Sequence, residues 1–239
     1  MAVVTIVGAG MMGTAFAYPF LDRGNEVRLV GTHLDREIIA SLKERSFHPK
    51  LALQTPREIR AFFHEELASA MQGVDIIGVG VSSPGVPWAA EHLKPWVRPE
   101  IPVAMITKGL EWTGERLEVL PDVLERELGP EHRGRVHPAA VAGPCIAGER
   151  ARRVETCVVL TGRDADKLAR LKNATAAPYY HAFTSLDVVG AEACAALKNA
   201  YAMGIALKHL QWPFAAAIGL VVAVAVVQSL IIGVLSLRV

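Results

Sequence analysis

The sequence predicts an α/β protein built on a doubly wound, mostly parallel β-sheet, and three observations indicate this class. The chain opens with a short β-branched run, residues 3–7, that leads without a polar residue into a glycine-rich hexapeptide. Apolar runs of strand length then alternate with helix-like stretches as far as residue 185. After Asp187 the pattern changes to an almost wholly apolar helix, which predicts a truncated all-helical second domain over 186–239.

The hexapeptide after the first strand has the spacing of a dinucleotide-binding loop. It reads G-x-G-x-x-G, and Thr14 opens a helix directly after it. In such a loop the first glycine makes a tight turn, the second lets the backbone approach a pyrophosphate, and the third packs helix on strand. The alternative is a strand-to-helix turn that binds no ligand. We predict a Rossmann domain over residues 1–185 that binds NAD or NADP through Gly8, Gly10, Met11, Met12 and Gly13.

Composition limits the classes of partner. The 239 residues contain 25 Lys and Arg against 24 Asp and Glu, a balance that gives no general attraction to nucleic acid. Small molecules or other protein chains are therefore the expected partners. Cys145, Cys157 and Cys194 are scattered without metal-ligand spacing, so no metal site is predicted. Reduced thiols and an amino terminus unlike a signal peptide favour the cytoplasm.

The remaining elements of the first domain are predicted from the same alternation. The end of the second strand bears on the choice of cofactor, because an acidic side chain there would bind the ribose of NAD and a basic one the extra phosphate of NADP. Thr32 and His33 occupy that position, whereas Asp35 and Arg36 are predicted to begin the next helix. This slightly favours NADP. The predicted strands are 26–30, 74–81, 101–106, 136–141, 155–161 and 179–183, with an unplaced strand region at 54–63, and the predicted helices are 35–45, 64–72, 87–93, 117–128 and 164–173.

Three loops are expected at the carboxyl edge of the sheet, where open α/β sheets bind ligands. The first contains Ser82, followed by Ser83-Pro84-Gly85, which could equally be an ordinary turn. The second contains Lys108 beside Gly109. The third is the loop 142–149. These loops predict that Ser82 and Lys108 face the same crevice as the glycine loop.

The long helix predicted over 188–207 has an unusual charge pattern. Asp187 is a suitable N-cap, and the charged residues before the helix end are Glu192 and Lys198. At about 100° per residue, Lys198 shares a face with Cys194, and Glu192 shares another with Asn199. A buried ammonium is costly unless it is paired or used in function. Lys198 is therefore a candidate catalytic group, the alternative being a lysine whose long stem reaches the surface.

Four blocks of the sequence together resemble NAD(P)-dependent glycerol-3-phosphate dehydrogenase. They are GAGMMG at 8–13, ITKGLE at 106–111, GPCIAGE at 143–149 and DVVGAEACAALKNAYAMGIA at 187–206. The resemblance implies a Rossmann domain that binds the cofactor and a helical domain that closes over glycerone phosphate. It implies that Lys198 is the general acid or base, with Asn199 beside the substrate. It also implies that Lys108 holds the substrate and that Ala147 belongs to the cofactor site.

The chemistry of ketone reduction requires a proton donor independently of the resemblance, and a lysine can serve as one. Hydride addition generates an alkoxide that needs a proton, and a lysine can donate one if its pKa falls from about 10.4 toward neutrality. Burial and a second nearby cation both lower a lysine pKa. Lys198 and Lys108 would provide this arrangement. The reaction that the resemblance implies is reduction of glycerone phosphate to sn-glycerol 3-phosphate for phospholipid synthesis.

The tail departs from the family's pattern. Enzymes of the family continue with a segment of threonine, serine, arginine and asparagine that holds the substrate phosphate, and nothing after Leu207 matches it. The uncharged stretch 213–237 is long enough to cross a bilayer, but a buried helix, a dimer contact or a truncation would explain it equally well. The alternative functions are accordingly an NAD(P)-binding protein with little catalysis, which could be membrane-associated, and a related ketopantoate-type reductase.

Overall fold

The computed structural model describes residues 1–143 and 145–197. Its main element is an eight-stranded sheet with the order β12-β11-β10-β7-β6-β1-β2-β5, and two short hairpins, β3-β4 and β8-β9, lie outside it. The strands are β1 (Val3–Val7), β2 (Glu26–Val30), β3 (Phe47–His48), β4 (Leu53–Gln54), β5 (Ile59–Phe62), β6 (Ile76–Val79), β7 (Val103–Met105), β8 (Leu110–Trp112), β9 (Leu117–Val119), β10 (Ala139–Ala142), β11 (Thr156–Thr161) and β12 (Tyr180–Ser185).

Helices connect these strands. They are α1 (Met11–Asp22), α2 (Arg36–Arg45), α3 (Leu67–Ala70), α4 (Val86–Leu93), α5 (Leu120–Leu128), α6 (Ala147–Ala151) and α7 (Ala165–Ala174), and residues 188–197 are also helical (α8). Short 3₁₀ turns precede α3 and α4 at His64–Glu66 and Ser83–Gly85.

The sheet is mostly parallel and is covered on both faces, which confirms the predicted doubly wound α/β class. From β5 to β10 every neighbouring pair runs parallel, whereas β11 runs antiparallel to β10 and parallel to β12. One apolar core contains Phe16 of α1 and Leu168 of α7, and a second contains Leu93 of α4 and Leu124 of α5. Burial of these side chains on both faces explains why the strands read as continuous apolar runs.

Several predicted elements are corrected in detail. Residues 117–119 form β9 and pair with β8, so the predicted helix 117–128 begins only at Leu120. Pro121 fits the first turn of a helix and not its interior, which fixes that start. Helix α1 begins at Met11, three residues before the predicted Thr14. The unplaced region 54–63 contains the end of β4 and all of β5, and β5 is an edge strand of the sheet beside β2.

Asp187 caps α8 as predicted. Its Oδ1 accepts a hydrogen bond from the Gly190 N–H at 2.8 Å. The chain from Met1 to Ala195 forms one compact unit. The predicted domain boundary at 185/186 stays a prediction. Within the described ranges no helix is both long and apolar enough to span a bilayer, and the stretch 213–237 lies outside those ranges.

Candidate functional site

The glycine loop between β1 and α1 has three glycines with different surroundings. Gly8 has a φ of +108°, a backbone conformation that side-chain-bearing residues rarely adopt. A Cβ on Gly13 would lie 1.9 Å from the Gly8 carbonyl oxygen, so helix and loop touch there. A Cβ on Gly10 would meet nothing within 4 Å. The loop is therefore closed at its first and third glycines and open at its second, where a ligand's phosphates could approach the backbone.

A cavity of about 270 Å³ lies in front of this loop. It is bounded by the ends of β1, β2 and β6, and its lining includes Gly8, Gly10, Thr32, His33, Lys50 and Ser82. The chain runs outward from β1 to β2 and β5 and then returns to β6 on the other side of β1, so the cavity lies at the point where strand order reverses. Cavities of about 590 and 610 Å³ elsewhere are larger, but neither is at this crevice.

The carboxylate on the wall of the cavity after β2 belongs to Asp35, and the protein's own hydrogen bonds engage it. Asp35 directly precedes α2, as predicted, but its side chain is buried and turned toward the glycine loop. Its Oδ2 accepts hydrogen bonds from the Ala9 N–H at 3.2 Å, the Thr32 N–H at 2.9 Å and the Thr32 hydroxyl at 2.8 Å. His33 lies against Trp88, with ring centroids 5.7 Å apart. The wall thus presents a threonine, a histidine and Lys50.

Two of the blocks that carry the family resemblance meet at Lys108. This residue follows β7, and its Nζ donates a hydrogen bond to the Gly143 carbonyl at 2.6 Å. The Nζ is also 3.7 Å from the Sγ of Cys145. Gly143 has a φ of +119° and lies close to the backbone of β11, so a side chain there would be strained. The bond therefore joins the loop after β7 to the loop after β10.

Glu192 on α8 is a buried carboxyl group close enough to Lys108 to interact with its charge. Its side chain is fully buried, and neither oxygen has a hydrogen-bond partner in the described part of the chain. Burial raises the pKa of Glu192 to about 7, and the nearby Lys108 ammonium partly opposes this shift. In the sequence Glu192 stands out only as a charge on an apolar helix and was not nominated as a site residue, although a lone charge there is the signal that could have found it.

The other predicted site residues are dispersed. Met11 is the first residue of α1 and is half-exposed, whereas Met12 packs partly against the core. Ala147 begins α6 with its side chain buried in the core. Lys198 and Asn199 lie outside the described residues. Three residues at or behind the cavity, Lys50, Trp88 and His48, were not predicted, because each reaches it from an element that the sequence pattern left without a ligand role.

Fold and cavity together define a dinucleotide-binding protein of the Rossmann type. The donor set suits a nicotinamide dinucleotide, with open space at Gly10, the first N–H groups of α1, which have no partner within the helix, and hydroxyl and basic groups along the cavity. Among the described residues no cluster of His, Cys, Asp and Glu has the arrangement of a metal site.

Comparison with known proteins identifies the family. The model for the amino-terminal part of NAD-dependent glycerol-3-phosphate dehydrogenase matches residues 3–168, which is more than half of the chain. The chain belongs to this family.

Individual relatives agree with this assignment. An NADP(+)-dependent glycerol-3-phosphate dehydrogenase from Archaeoglobus fulgidus is 31% identical over 204 residues, covering 85% of this chain and 59% of the relative. A glycerol-3-phosphate dehydrogenase [NAD(P)+] from Corynebacterium aurimucosum is 32% identical over 205 residues, with the same two coverages. The crystal structure of glycerol-3-phosphate dehydrogenase from Coxiella burnetii superposes with a TM-score of 0.71 at 27% identity, covering 86% of this chain and 61% of that one. The chain thus spans about three fifths of the length of these relatives.

Proposed function

We propose that the protein reduces glycerone phosphate to sn-glycerol 3-phosphate with a reduced nicotinamide dinucleotide. The observation that carries this proposal is the open glycine loop in front of the cavity. Lys108 follows β7 of the same sheet, where its Nζ donates to the Gly143 carbonyl. The family assignment and the names of the relatives support the substrate. The product would enter glycerophospholipid synthesis.

The roles of the residues follow from the charge changes in the reaction. When bound, the reduced nicotinamide supplies a hydride for the ketone carbon. Lys198 then gives a proton to the developing alkoxide oxygen, so that the ketone becomes a secondary alcohol. Lys108, whose Nζ donates to the Gly143 carbonyl, attracts the anionic substrate. In the proposed reaction its charge also lowers the pKa of the Lys198 ammonium, as a second nearby cation does. Asn199 lies beside Lys198 in sequence and would orient the substrate.

We also propose that NADP is the preferred cofactor. The carboxylate that could bind the ribose hydroxyls of NAD is Asp35, and it already accepts three hydrogen bonds from the protein. His33 and Lys50 also line the cavity, and these basic groups can attract a 2′-phosphate. A homodimer, a cytoplasmic location and a membrane contact through 213–237 remain predictions.

The first test is oxidation of NADPH and NADH by the purified 239-residue chain, with glycerone phosphate added and omitted. We expect substrate-dependent oxidation, faster with NADPH. Lys198→Ala should abolish it while leaving cofactor binding nearly intact. Cofactor binding without oxidation of either dinucleotide would overturn the proposed reaction and favour a binding protein. Oxidation with ketopantoate in place of glycerone phosphate would favour the ketopantoate-type reductase.

A further inference from the structure

His48 is buried behind the glycine loop with a hydrogen bond at each ring nitrogen. It is fully inaccessible to solvent and lies in the β3-β4 hairpin. The Leu51 N–H donates to its Nδ1 at 3.1 Å, and its Nε2 lies 3.0 Å from the Ala9 carbonyl oxygen. Nδ1 accepts a hydrogen bond, so it carries no proton. A carbonyl oxygen can only accept, so Nε2 must donate to it, and the ring is the neutral tautomer with the proton on Nε2.

The Ala9 residue that His48 contacts is held by two further side chains. The Thr14 hydroxyl donates to the Ala9 carbonyl at 3.2 Å, and Asp35 accepts from the Ala9 N–H at 3.2 Å. Three side chains from different parts of the chain thus fix one residue of the G-x-G-x-x-G loop. Such a number of bonds on a loop residue restricts its backbone to one orientation.

The orientation of the Ala9 carbonyl decides where the next N–H points. The peptide bond between Ala9 and Gly10 is trans, so its C=O and N–H point in opposite directions. Since the carbonyl is turned toward His48 and Thr14, the Gly10 N–H is turned away from them. Among residues 1–143 and 145–197 that N–H has no acceptor, and the space at Gly10 is open.

We propose that His48 is a positioning residue for the cofactor: by donating its Nε2–H to the Ala9 carbonyl, it aims the Gly10 N–H at the pyrophosphate of the bound dinucleotide. This inference rests on the proposed function, because it takes a nicotinamide dinucleotide as the ligand. It concerns the pyrophosphate that NAD and NADP share. It therefore applies equally to both cofactors, unlike the role of His33 at the ribose end.

The arrangement has a consequence for pH. Protonation of His48 would put a second N–H at Nδ1, directly facing the Leu51 N–H, and the ring would have to move. Burial lowers the pKa of His48 below its usual 6.5, an effect that Asp35 opposes and Lys50 reinforces, and these are the charged groups that act on the ring. The neutral ring is therefore present at neutral pH. Cofactor affinity should fall only as the pH drops below 6.5 and through the folded-state pKa.

The test measures dissociation constants for NADH and NADPH between about pH 8 and pH 5.5, the range in which histidine titrates. Trp88 lines the cavity, so quenching of tryptophan fluorescence reports binding without turnover. The variants are His48→Leu, which loses both hydrogen bonds, and His48→Gln, which keeps a donor nitrogen and cannot titrate. His33→Gln is the matched control, a histidine replaced at the ribose end of the same cavity. Near-UV circular dichroism at each pH checks that every variant is folded.

We expect the wild-type affinity for both dinucleotides to decline in acid. His48→Leu should weaken binding of both dinucleotides by about fivefold at neutral pH. This is the effect of losing one hydrogen bond to the ligand, that of the Gly10 N–H to the pyrophosphate. His48→Gln should bind normally at neutral pH and lose the acid decline. His33→Gln should keep the decline with NADH.

Two results would overturn the proposal. One is a loss of dinucleotide affinity in acid by His48→Gln that is as large as in wild type. This result tests the proposal even if His48→Leu does not fold. The other is unchanged affinity in folded His48→Leu. A wild-type chain that binds neither dinucleotide at any pH would instead overturn the proposed function, and the role of His48 with it.

Discussion

Individual residues at this site are constrained to different degrees, and the glycines show it most clearly. Gly13 and Gly10 belong to the same motif, yet a Cβ at Gly13 would overlap the Gly8 carbonyl and a Cβ at Gly10 would project into open space. The first and third glycines, Gly8 and Gly13, are thus required by the fold, and Gly10 only by a ligand. Sequence spacing indicated all three, but it could not separate these two reasons, which depend on distances across the loop.

Substitutions at Gly13 and Gly10 should therefore affect different properties, stability at Gly13 and cofactor binding at Gly10. Gly13→Ala should destabilise the protein by about 1–3 kcal/mol, because an overpacked contact with backbone must be relieved by moving the helix. Gly10→Asp should leave the free energy of unfolding within about 0.5 kcal/mol of wild type and abolish binding of NADPH. Urea denaturation and fluorescence titration of each variant make the comparison. Normal NADPH binding by Gly10→Asp would contradict the assignment of the loop.

Glu192 predicts a pH dependence of stability with a definite sign. Its folded-state pKa of about 7 lies above the usual 4.5, so the folded protein retains a proton that the unfolded chain has released. The proton on Glu192 therefore contributes fully to the free energy of unfolding below pH 4.5. This contribution is lost as the pH rises from 4.5 to about 7, and above that value the free energy of unfolding no longer changes through Glu192.

Glu192→Gln removes this titration while keeping the shape of the side chain. At pH 8 the variant should be more stable than wild type by about 1–3 kcal/mol, and at pH 5 the difference should be small. Urea denaturation at both pH values measures it. The matched variant is Glu155→Gln, an acidic residue that precedes β11. A difference between Glu192→Gln and wild type that is the same at both pH values would contradict the raised pKa.

At the scale of elements, the two hairpins outside the main sheet are what the sequence did not predict. The stretch 117–128 has helical periodicity throughout, but its first three residues pair with β8, and only tertiary contacts reveal this. Arg126 of α5 forms ion pairs with Glu111 of β8 and Glu118 of β9. These pairs connect the hairpin to the helix that follows it. The β3-β4 hairpin is likewise too short to show a strand period, and it carries His48 and Lys50.

Arg126→Ala should loosen the β8-β9 hairpin without unfolding the domain. The ion pairs are partly exposed, so the global free energy of unfolding should fall by only about 1 kcal/mol. Amide exchange over residues 110–119 should nevertheless become faster while that of β1 is unchanged. Hydrogen exchange followed by mass spectrometry resolves the two regions. Lys94→Ala, which breaks the ion pair with Glu131 elsewhere on the surface, is the control and should not affect the hairpin.

At the scale of the whole molecule, the doubly wound sheet followed from the alternation of apolar runs and amphipathic stretches. The antiparallel direction of β11 did not, because buried strands have the same apolar composition whichever way they run. Ser82, which lines the cavity, was predicted from its position after a strand, since parallel strands bring their carboxyl ends to one edge. Lys108 was predicted in the same way, but it is not among the residues that line this cavity, and its Nζ lies against the Gly143 carbonyl. The roles of Asp35 and His48 depend on hydrogen bonds between residues 26 and 39 positions apart, which spacing does not encode.

Ligand binding should stabilise the molecule as a whole. A ligand that binds only the folded state at one hundred times its dissociation constant raises the free energy of unfolding by about 2.7 kcal/mol. Equal concentrations of NADPH and NADH should raise the melting temperature, NADPH by more, and Gly10→Asp should show no rise with either. Differential scanning fluorimetry suffices. A larger rise with NADH would reverse the proposed cofactor preference.

The position of Asp35 bears on how the protein could change cofactor during evolution or by design. Its carboxylate accepts hydrogen bonds from the glycine loop, at Ala9, and from the turn after β2, at Thr32. Replacing Asp35 would therefore remove the hydrogen bonds of both segments. An acid introduced at His33 would instead add a ribose acceptor and leave those hydrogen bonds in place. Substitution at the exposed His33 therefore offers a short route from one dinucleotide to the other. The buried Asp35, two residues away, does not tolerate substitution, because the loop depends on its hydrogen bonds.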